Sequence, residues 1–130
     1  MLKSLQTLAA AALMTAAAAG VGASEHWTYP DAVEPEASSE LNVGRMNYEA
    51  FCASCHGKTA RGTDKGPTFI SKIYHPGHHG DASFFIAPRD GVRAHHWHFG
   101  NMPPVEGVTE TQLGSILRYV RAVQRANGLF

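Results

Sequence analysis

Between Gly57 and Gly107 the chain is rich in glycine, proline and histidine and carries little apolar periodicity. That stretch constrains the fold more than any other. About fifty residues without regular structure order themselves at a large entropic cost and bury little apolar surface in return. Such a segment stays folded only if something besides its own side chains fills the interior. No part of the chain reads as a convincing strand, and there is no internal repeat.

Helical patterns flank this middle on both sides. From Glu40 to Phe51 the sequence predicts a short helix whose apolar face holds Leu41, Tyr48 and Phe51, with Val43 and Met46 nearby. Gly44 lies in its interior, where glycine costs roughly 1 kcal/mol relative to alanine. The usual return for that cost is the close approach of another backbone or ring. At the other end, Thr109 and Gln112 are spaced for a capping box, with Val108 and Leu113 as a hydrophobic staple. Leu113, Ile116, Leu117, Val120 and Val123 then follow helical spacing. Arg121 and Arg125 suit the negative end of the helix dipole, and Asn127-Gly128 reads as its stop. A further helix is expected after Asp81, over Ala82–Ala87, and should end, kink or restart at Pro88.

The N-terminus sets the compartment. Lys3 precedes an uncharged stretch from Leu8 to Ala19, and Val21-Gly22-Ala23 offers the small residues of a cleavage site. This is the layout of a secretory signal peptide over 1–23. Residues 24–38 carry two prolines and four acids and read as a flexible acidic leader. The folded domain is expected over 39–130. With 11 basic against 11 acidic residues, the chain lacks the clustered positive charge of a nucleic-acid binder. No stable membrane insertion is expected once the signal is cleaved.

The only two cysteines stand in Cys52-Ala53-Ser54-Cys55-His56-Gly57, at the end of the first expected helix. Four readings compete. A disulfide is chemically open to an exported chain but gives His56 no role. A thioredoxin-like redox pair expects a preceding strand. A zinc site needs two further ligands, which the histidine-rich middle can supply. Covalent haem attachment uses both thiols and brings His56 beneath the iron, and the C-x-x-C-H spacing carries that role. A large apolar group of this kind would also fill the interior that the middle leaves empty. Downstream, Gly100-Asn101-Met102-Pro103-Pro104 sets a thioether in a proline-anchored loop, as a second axial ligand requires.

On these residues the chain resembles the class I, single-haem c-type cytochromes. The resemblance runs from about Ser39 to Phe130 and rests on Gly44 and Tyr48 before the cysteines, Gly66-Pro67 after them, the methionine loop, and Tyr119-Val120 on the last helix. It implies an all-α fold with crossing N- and C-terminal helices and a loop-rich middle wrapped around one haem c. Gly44 would meet Tyr119 at the crossing, and the Pro67 carbonyl would receive the other ring N–H of His56. Cys52 and Cys55 would hold the haem, with His56 and Met102 as its axial ligands and no catalytic residue. The implied function is periplasmic electron transfer to and from transient partners such as a dehydrogenase, an oxidase or another cytochrome. Two further readings remain: a haem subunit, sensor or enzyme with a labile distal ligand, and a cytochrome with an added histidine-rich copper site.

The histidines motivate the last of these. His75, His78, His79, His95, His96 and His98 crowd the stretch where the resemblance is weakest. Asp81 adds a carboxylate to the first cluster. Any of His95, His96 or His98 also competes with Met102 for iron. Trp97 and Arg93 lie four apart and would both reach a haem propionate if their segment were helical.

Overall fold

The structure is a computed structural model that describes residues 28–130. The expected signal peptide and residues 24–27 lie outside the described residues. Among the described residues four α-helices form: α1 (Ser39–Phe51), α2 (Ala53–His56), α3 (Ser83–Asp90) and α4 (Glu110–Ala126). Two 3-10 turns, Lys58–Ala60 and Lys72–Tyr74, interrupt the loops between them. No strand occurs among the described residues, where a single antiparallel bridge joins Val92 to Met102. The all-α expectation holds.

Helix α4 begins as its sequence dictates. Thr109 caps the Gln112 backbone N–H, and the Gln112 side chain accepts from the Thr109 backbone N–H at 2.9 Å. Val108 packs against the core that contains Leu113. The buried stripe is Leu113, Ile116, Tyr119, Val120 and Val123, while Leu117 is only half-buried. Burying each aliphatic member is worth about 1.5–3 kcal/mol. At the far end the Asn127 side chain accepts from Val33 N–H and donates to the Val33 and Val123 carbonyls.

Helix α1 is capped by Ser38 and crosses α4 at Gly44. Gly44 and Tyr48 are its buried residues, and the Tyr48 ring lies 5.4 Å from that of Tyr119. Val43 and Met46, expected near the apolar face, are 54% and 65% exposed. At 100° per residue they fall outside the stripe through residues 41, 44, 48 and 51.

The expectations for α3 and for Arg121 need correction. Helix α3 does not stop at Pro88 but runs two residues further, to Asp90, and closes at Gly91, whose N–H donates to the Ala87 carbonyl. Pro88 lies near the end of an eight-residue helix, so few intrahelical bonds depend on it, and its own carbonyl accepts from Val105 N–H at 2.7 Å. Residues 28–38, within the expected acidic leader, make bonds to the domain. Tyr29 N–H donates to Arg61, Val33 pairs with Asn127, and the Glu34 carboxylate accepts from the hydroxyls of Thr59 and Tyr119. Glu34 thereby accepts from two hydroxyls of the domain, which a composition-based reading does not register. Arg121, finally, does not act at the helix dipole. It is buried, and its guanidinium donates to Asp81, to the Tyr74 and His79 carbonyls and to Gln124. This one side chain ties the loop over 74–81 to α4 and gives the middle much of its order.

Candidate functional site

Cys52 ends α1 and opens α2, so the two helices meet at the thiol that the motif singles out. The single turn of α2 is closed by His56 N–H donating to the Cys52 carbonyl at 2.9 Å. On that turn, Cys52 and Cys55 share a side at a spacing of three, and His56 follows one turn after Cys52. Neither cysteine is in a disulfide: Cys52 is half-buried and Cys55 exposed. Burial, and secondarily the neighbouring Cys55, pushes the Cys52 thiol up to about 12.

His56 is buried, and its Nδ1 lies 2.9 Å from the Pro67 carbonyl. A carbonyl only accepts, so Nδ1 carries the proton and Nε2 the lone pair. Burial lowers its pKa, with the Pro67 bond opposing, which favours neutral imidazole. The Phe69 ring stacks on it at 4.2 Å. Pro67 reaches this position because Gly66 lies against Cys55. A Cβ at Gly66 would stand 3.0 Å from the Cys55 carbonyl oxygen. Thr63 adds a hydroxyl bond to that carbonyl, and the Tyr48 hydroxyl donates to Gly57 at 2.8 Å.

Met102 is fixed through its backbone. Its N–H and C=O both pair with Val92 at 2.9 Å, and the Val105–Pro88 bond holds the loop to the end of α3. Its side chain is half-buried. The loop is therefore anchored by backbone pairing as well as by its prolines.

The structure separates other residues that the sequence had grouped. The segment around Trp97 is not helical, and the indole N–H donates to the Tyr74 hydroxyl at 3.2 Å. Arg93 and Trp97 are thus not a helical pair. Asp81 is engaged by Arg121, and the His75 ring packs edge-on to Phe130 at 5.6 Å. The two histidine clusters nevertheless meet, through His78, His79 and His96. Sequence reasoning missed Phe69, Gln124 and the buried role of Arg121. For Arg121 a signal existed, since it stands between Tyr119-Val120 and Ala122-Val123.

The site suits a large apolar prosthetic group. Two thiols outside any disulfide and a neutral, oriented imidazole supply the attachment chemistry. Phe84, Phe85, Val92, Met102, Val105 and Val108 are all only half-buried. The aromatic contacts run from His56 through Phe69 to Phe84. Apolar side chains left partly out of the core are the surface that such a group covers.

The sequence model of the family Cytochrome c matches residues 42–124, from within α1 to within α4. The chain belongs to the cytochrome c family. None of the curated proteins or solved structures compared with it matches. As a cytochrome c domain it implies covalently bound haem c, and Cys52 and Cys55 fit the attachment motif. Members of the cytochrome c family are typically electron carriers with redox protein partners.

Proposed function

We propose that this cytochrome carries electrons in the periplasm, with one haem c bound through thioethers to Cys52 and Cys55 and with His56 and Met102 as axial ligands. When bound, haem c supplies one-electron transfer between ferrous and ferric iron. The observation that carries the reading is the buried His56, whose Nδ1 is bonded to Pro67 directly after the cysteine pair. That bond orients the ring, fixes the proton on Nδ1 and leaves Nε2 for iron. For Met102, the support is a backbone held on both sides by Val92 within a loop tied to α3. Two filled axial positions leave no place for a substrate, so the reading is a carrier and not an enzyme. Dehydrogenases, oxidases and other cytochromes are the partner classes, met through small transient contacts. Export rests on the signal-peptide pattern of 1–23.

The test uses protein expressed with its own leader. The product should carry one haem that survives denaturing electrophoresis, begin at Ser24 and be recovered from the periplasm. The oxidised form should show the weak near-infrared band of iron–thioether ligation, lost in Met102→Ala. Replacing both cysteines by serine should abolish haem retention. A low-spin spectrum without that band in the unaltered protein would overturn Met102 ligation in favour of a histidine.

A further inference from the structure

Two loops distant in sequence present imidazoles to one another. One is the turn at His78-His79, after the 3-10 segment Lys72–Tyr74; the other is the loop before Met102. We propose that His78, His79 and His96 form a second metal site, separate from the haem, for a divalent ion of the zinc or copper type.

The spacing is that of ligands. One nitrogen from each ring lies within 4.8 Å of the others, and Nε2 of His78 is 3.4 Å from Nε2 of His96. Zinc–nitrogen bonds of about 2.0–2.1 Å at tetrahedral angles put two nitrogens about 3.3 Å apart. The His78–His96 pair thus already has the separation of two neighbouring ligands. His79 completes the set by a modest turn of exposed or half-exposed side chains.

His79 is also prepared for the task. Its Nδ1 lies 2.6 Å from the Ile73 carbonyl, which only accepts, so the proton sits on Nδ1 and Nε2 carries the lone pair. A backbone carbonyl holding the far nitrogen is the usual support of a metal-bound imidazole. The His79 carbonyl is in turn gripped by the buried Arg121 at 2.8 Å, and the same guanidinium holds Tyr74 and Asp81. The turn that bears His78 and His79 is therefore fixed to α4.

His95 stands beside the group. Its ring lies 4.3 Å from that of His96 and stacks over His79 at 5.9 Å, while its Nδ1 donates to the Arg93 carbonyl. Its nitrogens do not join the 4.8 Å set, so water takes the fourth position. A set of imidazoles without thiolate or clustered carboxylate selects zinc or copper(II) over magnesium or calcium. Because His96 and Met102 share a loop, an ion here would fasten that loop to the 75–80 turn. The inference rests on this geometry alone and stands whether or not Met102 binds iron.

The experiment takes tag-free, haem-loaded protein, stripped of adventitious metal with chelator, and titrates it with Zn²⁺ by calorimetry. One ion should bind per chain. A His78→Ala, His96→Ala variant should bind about 100-fold more weakly, and His75→Ala and His98→Ala should match the unaltered protein. Cu²⁺ in place of Zn²⁺ should give an electron paramagnetic resonance spectrum with nitrogen hyperfine structure. If the double variant does not fold, His96→Gln alone should still weaken binding by at least tenfold. Binding without defined stoichiometry, or stoichiometric binding that survives loss of His78 and His96, would overturn the proposal.

Discussion

Gly44 and Tyr119 touch where α1 crosses α4: a Cβ built on Gly44 would lie 2.9 Å from the Tyr119 Cβ and 2.3 Å from the Ser115 carbonyl oxygen. The second contact is with backbone, which cannot rotate away. Alanine at 44 gains about 1 kcal/mol of helix propensity. It must also push the helices apart, and overpacking of this kind costs about 1–3 kcal/mol. Gly44→Ala should therefore lower stability on balance, with Gly44→Val worse. Urea unfolding of the haem-loaded protein measures this, and an unchanged or raised midpoint would contradict the close crossing.

Arg121 offers a second test. Its side chain is 7% exposed and satisfies Gln124, itself fully buried, along with two loop carbonyls. Arg121→Met keeps the volume but removes the guanidinium donor to Gln124 and to the His79 carbonyl, while the Tyr74 carbonyl keeps a bond from the Gln124 amide at 3.2 Å. A loss of about 1–3 kcal/mol is expected for each buried acceptor left unpaired, whereas Asp81, 66% exposed, stays solvated. Arg121→Lys should recover only a small part, because one ammonium cannot reproduce the fork. Rapid hydrogen exchange confined to 74–81 in either variant would show that the guanidinium orders this loop.

The buried tyrosines predict alkaline sensitivity. Burial raises the pKa of both Tyr48 and Tyr119 well above the ordinary phenol value. The unfolded chain loses these protons near pH 10, while the folded chain keeps them. The unfolded state then binds fewer protons, so stability falls as pH rises. It should be flat with respect to these groups below about pH 9 and decline above about pH 10, by about 1.4 kcal/mol per pH unit for each tyrosine. Tyr48→Phe should remove about half of that slope. Equilibrium unfolding between pH 8 and 11 checks the expectation.

The thiols should differ in reactivity before haem is attached. Cys55 is exposed, whereas burial pushes Cys52 up to about 12. Only the thiolate reacts, so at pH 8 Cys52 presents a thiolate fraction of about 10⁻⁴. Haem-free protein treated with iodoacetamide should be modified first at Cys55, with Cys52 at least 100-fold slower and accelerating about tenfold per pH unit. Mass mapping of the labelled peptides reads this directly. Equal rates would mean that the surroundings of Cys52 do not form without the cofactor.

The sequence alone determined the two long helices, the capping box at Thr109 and the attachment motif at residues 52–56, because each depends on neighbours within a turn or two. It also marked Gly44 as a place of close approach, since a costly glycine inside a helix has few other uses. Only the tertiary structure decided what Arg121 does, why residues 28–38 lie against the domain, and which histidines meet. These depend on partners distant along the chain: Arg121 with Asp81, Val33 with Asn127, His78 with His96. Side-chain spacing along a helix is fixed by its geometry, but the meeting of two loops is fixed by what holds them. The 74–81 loop is held by a buried guanidinium, which by residue type alone belongs on the surface.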